Sequence, residues 1–464
     1  MMDCAPLTQE DWRRLLEESR RILALNEVDE GDIYYHMPSY HHYPSLFGWD
    51  SGFHAVAMSH IDARKAAREL ETLFRQVRED GHLPHEVMLP NRTEHPRLRH
   101  LQTWLVRWEF DRRGASYMID PPSYHYAAQL VYESTGDREW LKRLWPNMCR
   151  SLDFLLEERN VFGDGLVTIF HPWESGTDMS PQFFSAMGLE RGGMRSLLRS
   201  DLYPTALFAF NRFHGWDPER LARADRFVCQ ELTVNCLAVR ACCSMAALAR
   251  ELGDTERESR YGERARAMME ALDELCWDEG VGCYFPRFGF RDPRLARRKT
   301  ADSLMPLFGG LCGGERAGRL IEDHLLNPRE FFTTYPVPFN PLDEVEKGDG
   351  WVEKRLWAGH CVWVNFCWML AIALDEYGYR DVAREITRRV VRMVLREGFW
   401  EFYDSRDGSG RRIPDFCWPA LALDMVARFW PEITGENGKG AESGKGAESG
   451  EGGENGECRE EVRD

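Results

Sequence analysis

The sequence predicts an all-α protein, most simply an (α/α)6 barrel with long catalytic loops on one face. Three observations lead to this fold class. Most of the 464-residue chain follows a helical period of apolar residues. The helical segments occur in pairs, joined by alternately short and long connections. Strand signals are few and short, so about twelve helices have to bury their apolar faces on one another.

The longest predicted pair is Glu231–Leu252 and Thr255–Trp277, separated only by Gly-Asp. A stack of helical repeats is the alternative arrangement, but no fixed period of about 34 to 47 residues recurs, as such a stack needs. We therefore favour a closed ring. The other predicted helices are Gln9–Leu25, Asp62–Val77, Tyr124–Ser134, Trp140–Leu156, Leu304–Leu325 (interrupted by glycines), His360–Tyr377, Asp381–Glu397 and Trp418–Phe429.

The chain divides into residues 1–433, predicted to form the helical catalytic domain, and a tail over residues 434–464. The tail repeats KGAESG and contains almost no apolar residue. Burial of so little apolar surface cannot offset the entropy of ordering the chain. We expect a disordered, acidic, Gly/Glu/Ser-rich tail.

Composition restricts the partners and the compartment. The formal net charge of −17 argues against a nucleic-acid partner. We find no run of about 18 apolar residues and no signal-peptide pattern at the start, so we expect no membrane span and a cytoplasmic location. The thirteen cysteines lack CxxC spacing, which argues against a zinc site or a disulfide framework.

The long loops are rich in Trp, Tyr, His, Pro, Gly and acids, a composition typical of a sugar site. The first such loop is YPSLFGWDSGFH, residues 43–54. Aromatic rings pack on the apolar faces of pyranoses, and a carboxylate beside them accepts hydrogen bonds from hydroxyl groups. Asp50 beside Trp49 fits that role, and a simple helix N-cap is the alternative for Asp50.

The second loop is HPWESGTDMS, residues 171–180, which holds Glu174 and Asp178 among Trp, Gly and Pro. An apolar wall raises the pKa of a carboxyl toward the value that a general acid needs. Loop carboxylates are also common as turn or cap residues. Local spacing leaves open which of the two is the acid and which is structural.

The third loop is GFWEFYD, residues 398–404, in which Glu401 lies among aromatic residues just after a predicted helix end. A Glu that points to solvent from a β-turn is the alternative. Two separated carboxylates are what acid-catalysed glycoside cleavage requires, since one protonates the leaving oxygen and the other activates water. A GxSxG nucleophile elbow is missing, which disfavours acyl transfer.

Five segments in order resemble glycoside hydrolase family 63, in particular its short bacterial mannosylglycerate and glucosylglycerate hydrolase branch. They are WDSGFHA (49–55), GHLPHEV (81–87), IDPPSYHYA (119–127), HPWESGTDMSP (171–181) and GFWEFYD (398–404), and the helix WVNFCWMLAIALDEYGY (363–379) also fits. The resemblance covers roughly residues 30–430. It implies an (α/α)6 barrel, an inverting mechanism and no metal or other cofactor.

The same resemblance implies roles for single residues. Asp178 corresponds to the general acid of the family and Glu401 to its general base. Where the family usually has Gln before the paired prolines, this chain has Asp120, and the family arginine near residue 228 is displaced to Arg226. The residues implied for sugar binding are Tyr43, Phe47, Gly48, Trp49, Asp50, His85, Asp120, Gly176, Arg226 and Trp357.

The predicted function is therefore inverting hydrolysis of a small α-glycoside with an anionic aglycone, mannosylglycerate or glucosylglycerate. Because the protein is itself net negative, a local cation has to hold the glycerate carboxylate, and the sequence suggests Arg226 or Arg355. An α-glucosidase-like hydrolase of a neutral disaccharide is the alternative in the same class. A non-catalytic sugar-binding helical protein is the alternative outside it.

Overall fold

The computed structural model describes residues 5–89, 107–189, 193–345 and 356–435. The predicted tail and Arg355 lie outside these residues. The helices, labelled α1 to α16 in chain order, are Gln9–Asn26, Gly48–Ser59, Ala63–Phe74, Ser123–Thr135, Arg138–Glu157, Phe184–Met187, Gly193–Phe213, Pro218–Ala224, Leu232–Leu252, Thr255–Leu275, Met305–Gly309, Gly314–Arg319, Leu342–Val345, Val364–Glu376, Arg380–Glu397 and Ala422–Phe429.

Short strands, β1 to β11, connect these helices. They are Glu27–Glu30, Ile33–His36, Leu46–Phe47, Glu86–Val87, Cys229–Gln230, Trp277–Asp278, Cys283–Tyr284, Arg287–Phe288, Arg294–Leu295, Trp400–Tyr403 and Gly410–Pro414. They form five separate antiparallel sheets of two or three strands: β1–β2, β3–β4, β5–β8–β9, β6–β7 and β10–β11. Each sheet shapes a loop and adds no further layer to the fold.

Six of the described helices form a closed inner ring. In order around the ring, α2 packs on α4, α4 on α9, α9 on α11, α11 on α14, and α14 on the 3-10 turn Trp418–Leu421 that leads into α16. That turn and α16 pack on α2, which closes the ring. The predicted (α/α)6 barrel is thus confirmed, and closure excludes an open stack of repeats.

Outer helices cover the inner ring: α3 covers α2, α5 covers α4, α10 covers α9, α15 covers α14 and α1 covers α16, while α12 follows α11 in the chain. The first and last helices, α1 and α16, therefore pack together as one pair. Burial explains the two layers. Residues Val364–Leu374 of α14 are all buried, whereas α15 buries one face only. Inner helices are apolar on all sides, and outer helices keep a charged face toward solvent.

Helix α9 is long and apolar enough to cross a membrane by length and composition. Of its most apolar window, 78% is buried inside the barrel. The apolar character of α9 is explained by its place in the inner ring, between α4 and α11.

The predicted helix bounds agree with the structure to within a few residues at most ends. Five described helices were not among the predicted ones: the inner helix α2, of which only the start near Asp50 was noted, the long α7, and the short α6, α8 and α13. Helix α7 contains Pro204 and has no clear apolar face. The predicted segment Leu304–Leu325 is divided into α11, α12 and a π-helical turn, Leu320–Leu325, because Gly310 ends α11 in a left-handed conformation. The glycines noted in the sequence are thus real breaks.

The described cysteines are all free thiols, and all but Cys243 are buried. They pack in the core as small apolar side chains. Burial raises the pKa of the thiols, as in Cys276 and Cys361, both at about 12. Their distribution is that of core residues rather than of a reactive or metal-binding set.

Candidate active site

One face of the barrel contains a cavity that encloses about 460 Å³ of empty space, its open mouth included. This volume suits a small ligand. We call it the inner cavity. It brings together nine of the predicted site residues and five others: Pro38, Tyr43, Phe47, Trp49, Asp50, His85, Gly176, Asp178, Leu356, Trp357, Trp363, Glu401, Phe416 and Trp418.

The first wall of the inner cavity is the start of α2. Strand β3 pairs with β4 and ends at Phe47, which is the N-cap residue of α2. The Phe47 side chain has no acceptor and cannot cap the helix. Asp120 takes that role from a neighbouring loop, since its Oδ2 accepts the Trp49 amide at 2.7 Å. A carboxylate at a helix start also suits the helix dipole.

Asp120 and Gly48 therefore do not line the inner cavity, contrary to the sequence-based expectation. They lie behind its wall. A Cβ on Gly48 would lie 3.1 Å from Asp120 Oδ2, so the two residues fit closely together. Both support the position of Trp49 rather than contact the cavity.

Asp50 lies in the first turn of α2 and lines the inner cavity. Its Oδ1 is buried and has no hydrogen-bond partner in the described structure. Burial raises the pKa of Asp50 to about 7. A buried carboxyl oxygen without a partner costs free energy unless a ligand supplies one. The geometry thus favours Asp50 as a receptor for a ligand hydroxyl over the alternative of a helix cap.

The loop 171–183, which we call the acid loop, answers the question left open between its two carboxylates. Glu174 is fully buried. Its Oε1 accepts the Ile119 amide at 3.1 Å, its Oε2 accepts the Phe170 amide at 2.6 Å, and Arg159 forms an ion pair with it at 2.9 Å. Both of its oxygens are engaged inside the protein, so Glu174 is the structural member of the pair.

Asp178 is half-buried and lines the inner cavity. Loss of hydration raises its pKa to about 7, while the charge of Arg412 acts in the opposite direction. Asp178 is aimed into the cavity by the turn at Gly176, whose φ is +72°. A Cβ on Gly176 would lie 2.7 Å from the Trp49 indole, so only glycine fits.

Glu401 lies on β10 of the hairpin β10–β11, which we call the base hairpin. The Tyr43 hydroxyl donates to its Oε1 at 3.0 Å, and Arg412 Nη1 lies 3.3 Å from the same oxygen. The Glu401 side chain is 3% exposed, and its Oε2 has no partner among the described residues. Burial raises the pKa of Glu401 to about 7, against the effects of Arg412 and Tyr43.

Arg412 is a site residue that the sequence analysis missed. The register of the base hairpin shifts between Trp400 and Phe402, so β11 contains one extra residue there, and Arg412 adopts a φ of +67°. Such a bulge redirects a side chain and is common at functional sites. The available signal was the pair Arg411-Arg412 in the polar segment just after Glu401.

A second cavity, the outer cavity, adjoins the first and encloses about 1160 Å³ of empty space including its mouth. The two cavities share Asp178 and Leu356. Arg412 lines the outer cavity and Glu401 lines the inner one. The other residues of the outer cavity are Trp173, Met179, Ser200, Pro204, Thr205, Phe208 and Phe402.

Aromatic rings form most of the inner cavity. Trp357, with a φ of +67°, stacks on Trp363 with ring centroids 3.5 Å apart. Phe47 packs edge-on against His85, whose pKa burial lowers to about 3. His85 is therefore neutral near pH 7. The cavity offers apolar ring faces around a few carboxylates, which is the composition expected of a sugar site.

Arg226 lies elsewhere, which corrects its assignment to the sugar pocket. It lines another cavity, formed with Phe227, Phe288 and the β8–β9 connection, and its guanidinium lies over the Tyr203 ring at 5.7 Å. The displacement noted in the sequence is thus accompanied by a different location. Among the described residues, Arg412 takes the place of a cation beside the two carboxylates.

Below Asp50, the buried residues His36, His54 and Glu69 lie close enough together to bind a metal ion. Their polar atoms already bind one another. Glu69 Oε2 lies 2.6 Å from His36 Nδ1, and its Oε1 lies 3.3 Å from His54 Nδ1. This geometry fits an internal hydrogen-bond cluster that supports α2.

Comparisons with known proteins agree with this geometry. Residues 43–419 match the family described as mannosylglycerate hydrolase MGH1-like glycoside hydrolase domain. The chain is 30% identical to a mannosylglycerate hydrolase of Rubrobacter radiotolerans, over 89% of this chain and 96% of that protein. It is 23% identical to a glucosylglycerate hydrolase of Mycolicibacterium hassiacum, over 82% of this chain and 91% of that one.

A crystal structure of the family 63 mannosylglycerate hydrolase from Thermus thermophilus, in complex with Tris and D-glycerate, superposes with a TM-score of 0.75 at 26% identity. It covers 90% of this chain and 100% of that chain. The same enzyme in complex with glucose gives a TM-score of 0.73, also at 26% identity, and covers 90% of this chain and 99% of that one. The chain belongs to the MGH1-like mannosylglycerate hydrolases of glycoside hydrolase family 63.

Proposed function

We propose that the protein hydrolyses 2-O-(α-D-mannosyl)-D-glycerate, glucosylglycerate or both, with inversion at the anomeric carbon. Asp178 is the general acid and Glu401 is the general base. The sugar occupies the inner cavity, where Asp50 accepts a hydroxyl hydrogen bond. The glycerate occupies the outer cavity.

A single observation carries the assignment of roles: Asp178 lines both cavities, whereas Glu401 lines the inner one. The glycosidic oxygen joins sugar to aglycone, so the group that protonates it has to lie where the two cavities meet. The base has to reach water on the far side of the sugar. The different positions of the two carboxylates support these two roles.

The environments of the two carboxylates support the same roles. Tyr43 and Arg412 both favour the ionised form of Glu401, which a base needs. Asp178 receives no side-chain hydrogen bond in the described structure, and burial favours its protonated form. The pKa of both carboxyl groups lies at about 7, so near pH 7 one can be protonated while the other is ionised.

The relatives support the choice of substrate, since they are named for mannosylglycerate and glucosylglycerate. The solved relative binds D-glycerate. In this chain, Arg412 lines the outer cavity and provides a cation for the glycerate carboxylate. Arginine binds carboxylates through paired N–H donors. This replaces Arg226 of the initial hypothesis, and Arg355 lies outside the described residues.

The direct test is product analysis after incubation of the purified protein with mannosylglycerate, glucosylglycerate and a neutral α-linked disaccharide. We expect free sugar and glycerate from at least one of the first two and little reaction with the third. Preferential hydrolysis of the disaccharide would contradict the proposed aglycone and would support an α-glucosidase-like activity. No hydrolysis of any of the three would favour a sugar-binding protein.

We also propose that the enzyme works in the reducing cytoplasm. The described cysteines are unpaired thiols buried in the core. Such a set is typical of proteins that fold where disulfides do not form. Fractionation of cells that express the protein tests this location.

A further inference from the structure

We propose that Asp302 and Glu231 are positioning residues that hold the acid loop, and with it Asp178, through Gln182 and Ser180. The proposal rests on the assignment of Asp178 as general acid. It concerns a buried polar cluster behind the inner cavity, which contains two carboxylates and does not itself line either cavity.

Asp302 receives a dense set of hydrogen bonds. It is fully buried in the 3-10 turn that precedes α11. Its Oδ2 accepts the Gln182 side-chain amide at 2.7 Å and the Ser180 hydroxyl at 3.2 Å. Two threonines complete the set: Thr300 donates to Oδ2 at 2.9 Å and Thr233 to Oδ1 at 2.7 Å. Asp302 thus joins the acid loop to two inner helices.

Glu231 binds the same glutamine from the other side. It is the N-cap of α9, where its carboxylate accepts the Thr233 and Val234 amides at 2.9 Å and 2.8 Å. The Gln182 amide also lies within 3.3 Å of Glu231 Oε1. A single buried side-chain amide of the acid loop therefore bridges two carboxylates of the barrel.

The acid loop is consequently fixed at two points. Glu174, four residues before Asp178, holds the front of the loop through Arg159 and two backbone amides. Gln182, four residues after Asp178, holds its end. The acid lies midway between the two attachments.

The free-energy cost of burying these two carboxyl groups indicates that the cluster does more than stabilise the fold. Within the described residues, no ion pair reaches Asp302 or Glu231, and burial raises the pKa of both. Buried carboxyl groups without a cationic partner are unfavourable for folding, even where hydrogen bonds offset part of the cost. The Gln182 amide and the Ser180 hydroxyl donate to these carboxyl oxygens, so both side chains turn their donors inward. The orientation of the loop is thereby fixed.

Precise placement matters for a general acid, because it has to reach the leaving oxygen in the transition state. A shift of about 1 Å can reduce a rate about a hundredfold. Loss of the attachment should therefore affect only substrates whose leaving group needs a proton. This separates a positioning role from a general role in folding.

The experiment compares mannosylglycerate with α-D-mannosyl fluoride, whose leaving group needs little protonation. The variants are Gln182→Met, which removes the bridge at nearly constant volume, Asp302→Asn, and the milder Ser180→Ala. We expect kcat for mannosylglycerate to fall about tenfold to a hundredfold in Gln182→Met and Asp302→Asn. Hydrolysis of the fluoride should change less than about threefold, and Ser180→Ala should show the same selectivity with a smaller loss.

Asp424→Asn is the matched control. Asp424 is a buried carboxylate of α16 that lies near the C-terminal end of α2. It accepts a hydrogen bond from Trp368 Nε1 at 2.6 Å and lies 2.9 Å from His60 Nε2. Its variant should lose thermal stability and affect both substrates equally. Equal losses on both substrates in Gln182→Met, Asp302→Asn and Ser180→Ala would overturn the positioning role.

Asp178→Asn, assayed in parallel, separates this proposal from the proposed function. If the fluoride rescues Asp178→Asn but not Gln182→Met, the positioning role is wrong and the acid assignment stands. If the fluoride rescues neither Asp178→Asn nor the variants of the cluster, the acid assignment is wrong, and the positioning proposal fails with it.

Discussion

The acid loop and the base hairpin each carry one carboxyl group into the inner cavity, but they hold it differently. Asp178 has no side-chain partner in the described structure, and its loop is fixed by neighbours on either side. Glu401 is held directly, by Tyr43 and by Arg412. One group is positioned through its backbone and the other through its own oxygens.

This difference follows from what the two tasks require. A general acid has to stay protonated until it meets the leaving oxygen, and a hydrogen-bond donor fixed on its oxygens would favour early loss of the proton. A general base has to stay ionised in a buried site, and an unpaired buried charge is costly. Both pKa values lie at about 7, because burial raises each against the charge of Arg412, so the pKa values alone do not distinguish the roles.

The largest effect is expected from removal of either carboxylate. Asp178→Asn and Glu401→Gln should each lower kcat for mannosylglycerate at least about a hundredfold, the usual scale for acid-base groups. With α-D-mannosyl fluoride, Asp178→Asn should recover much of its rate and Glu401→Gln should not, because water still lacks its base. If the fluoride restored the rate of Glu401→Gln instead, Glu401 would be the acid and Asp178 the base.

The next effect concerns the cation of the base hairpin. Arg412→Met should raise KM for mannosylglycerate about tenfold or more, since it removes a charge-assisted contact to the glycerate carboxylate. KM for a neutral aryl α-mannoside should change much less. Arg411→Met is the matched control, because Arg411 pairs with Asp404 at 3.1 Å. Similar KM changes for both substrates in Arg412→Met would contradict the proposal that Arg412 binds the glycerate carboxylate.

A smaller effect is expected from Tyr43→Phe, which removes one hydrogen bond to Glu401. The loss of about 1 kcal/mol corresponds to a rate reduction of about fivefold. Because the Tyr43 hydroxyl lowers the pKa of Glu401, its removal raises that pKa. The base is then protonated at higher pH, so the acid limb of the kcat/KM profile should move to higher pH. An unmoved acid limb would show that Glu401 does not set it.

The smallest effect is expected from the tail. A chain that ends at Gly435 should keep its kcat/KM and its thermal midpoint, because the following residues contain almost no apolar side chain. Ending the chain before Glu432 should cost a few degrees, since it removes Ile433, whose side chain is 9% exposed, and the ion pair of Glu432 with Arg384 at 2.6 Å. If the chain that ends at Gly435 had a lower thermal midpoint than the full-length protein, the tail would have to dock on the barrel.

Periodicity in the sequence was sufficient to predict the barrel, because inner and outer helices differ in how completely they are buried. The composition of three loops was sufficient to place Asp50, Asp178 and Glu401 near a common site. Local spacing could not show which of Glu174 and Asp178 is structural, because Arg159, which forms an ion pair with Glu174, comes from another part of the chain.

Other contacts also depend on tertiary structure. Asp120 caps a helix that begins some seventy residues earlier in the chain, so its place behind the wall could not be read from its neighbours. Arg412 reaches Glu401 through a bulge with a positive φ, which the alternation of a regular strand does not predict. Arg226 was placed in the pocket by its position in a motif, and its side chain packs on Tyr203 instead.

The stereochemistry of the first product tests the central claim most directly. Proton NMR during the first minutes of hydrolysis of an α-linked substrate reports the anomer before mutarotation mixes the two forms. An acid that lines both cavities and a base that activates water in the inner one predict that the β-anomer of the sugar forms first. If the α-anomer forms first, the reaction proceeds with retention through a covalent intermediate, and the roles assigned to Asp178 and Glu401 are wrong.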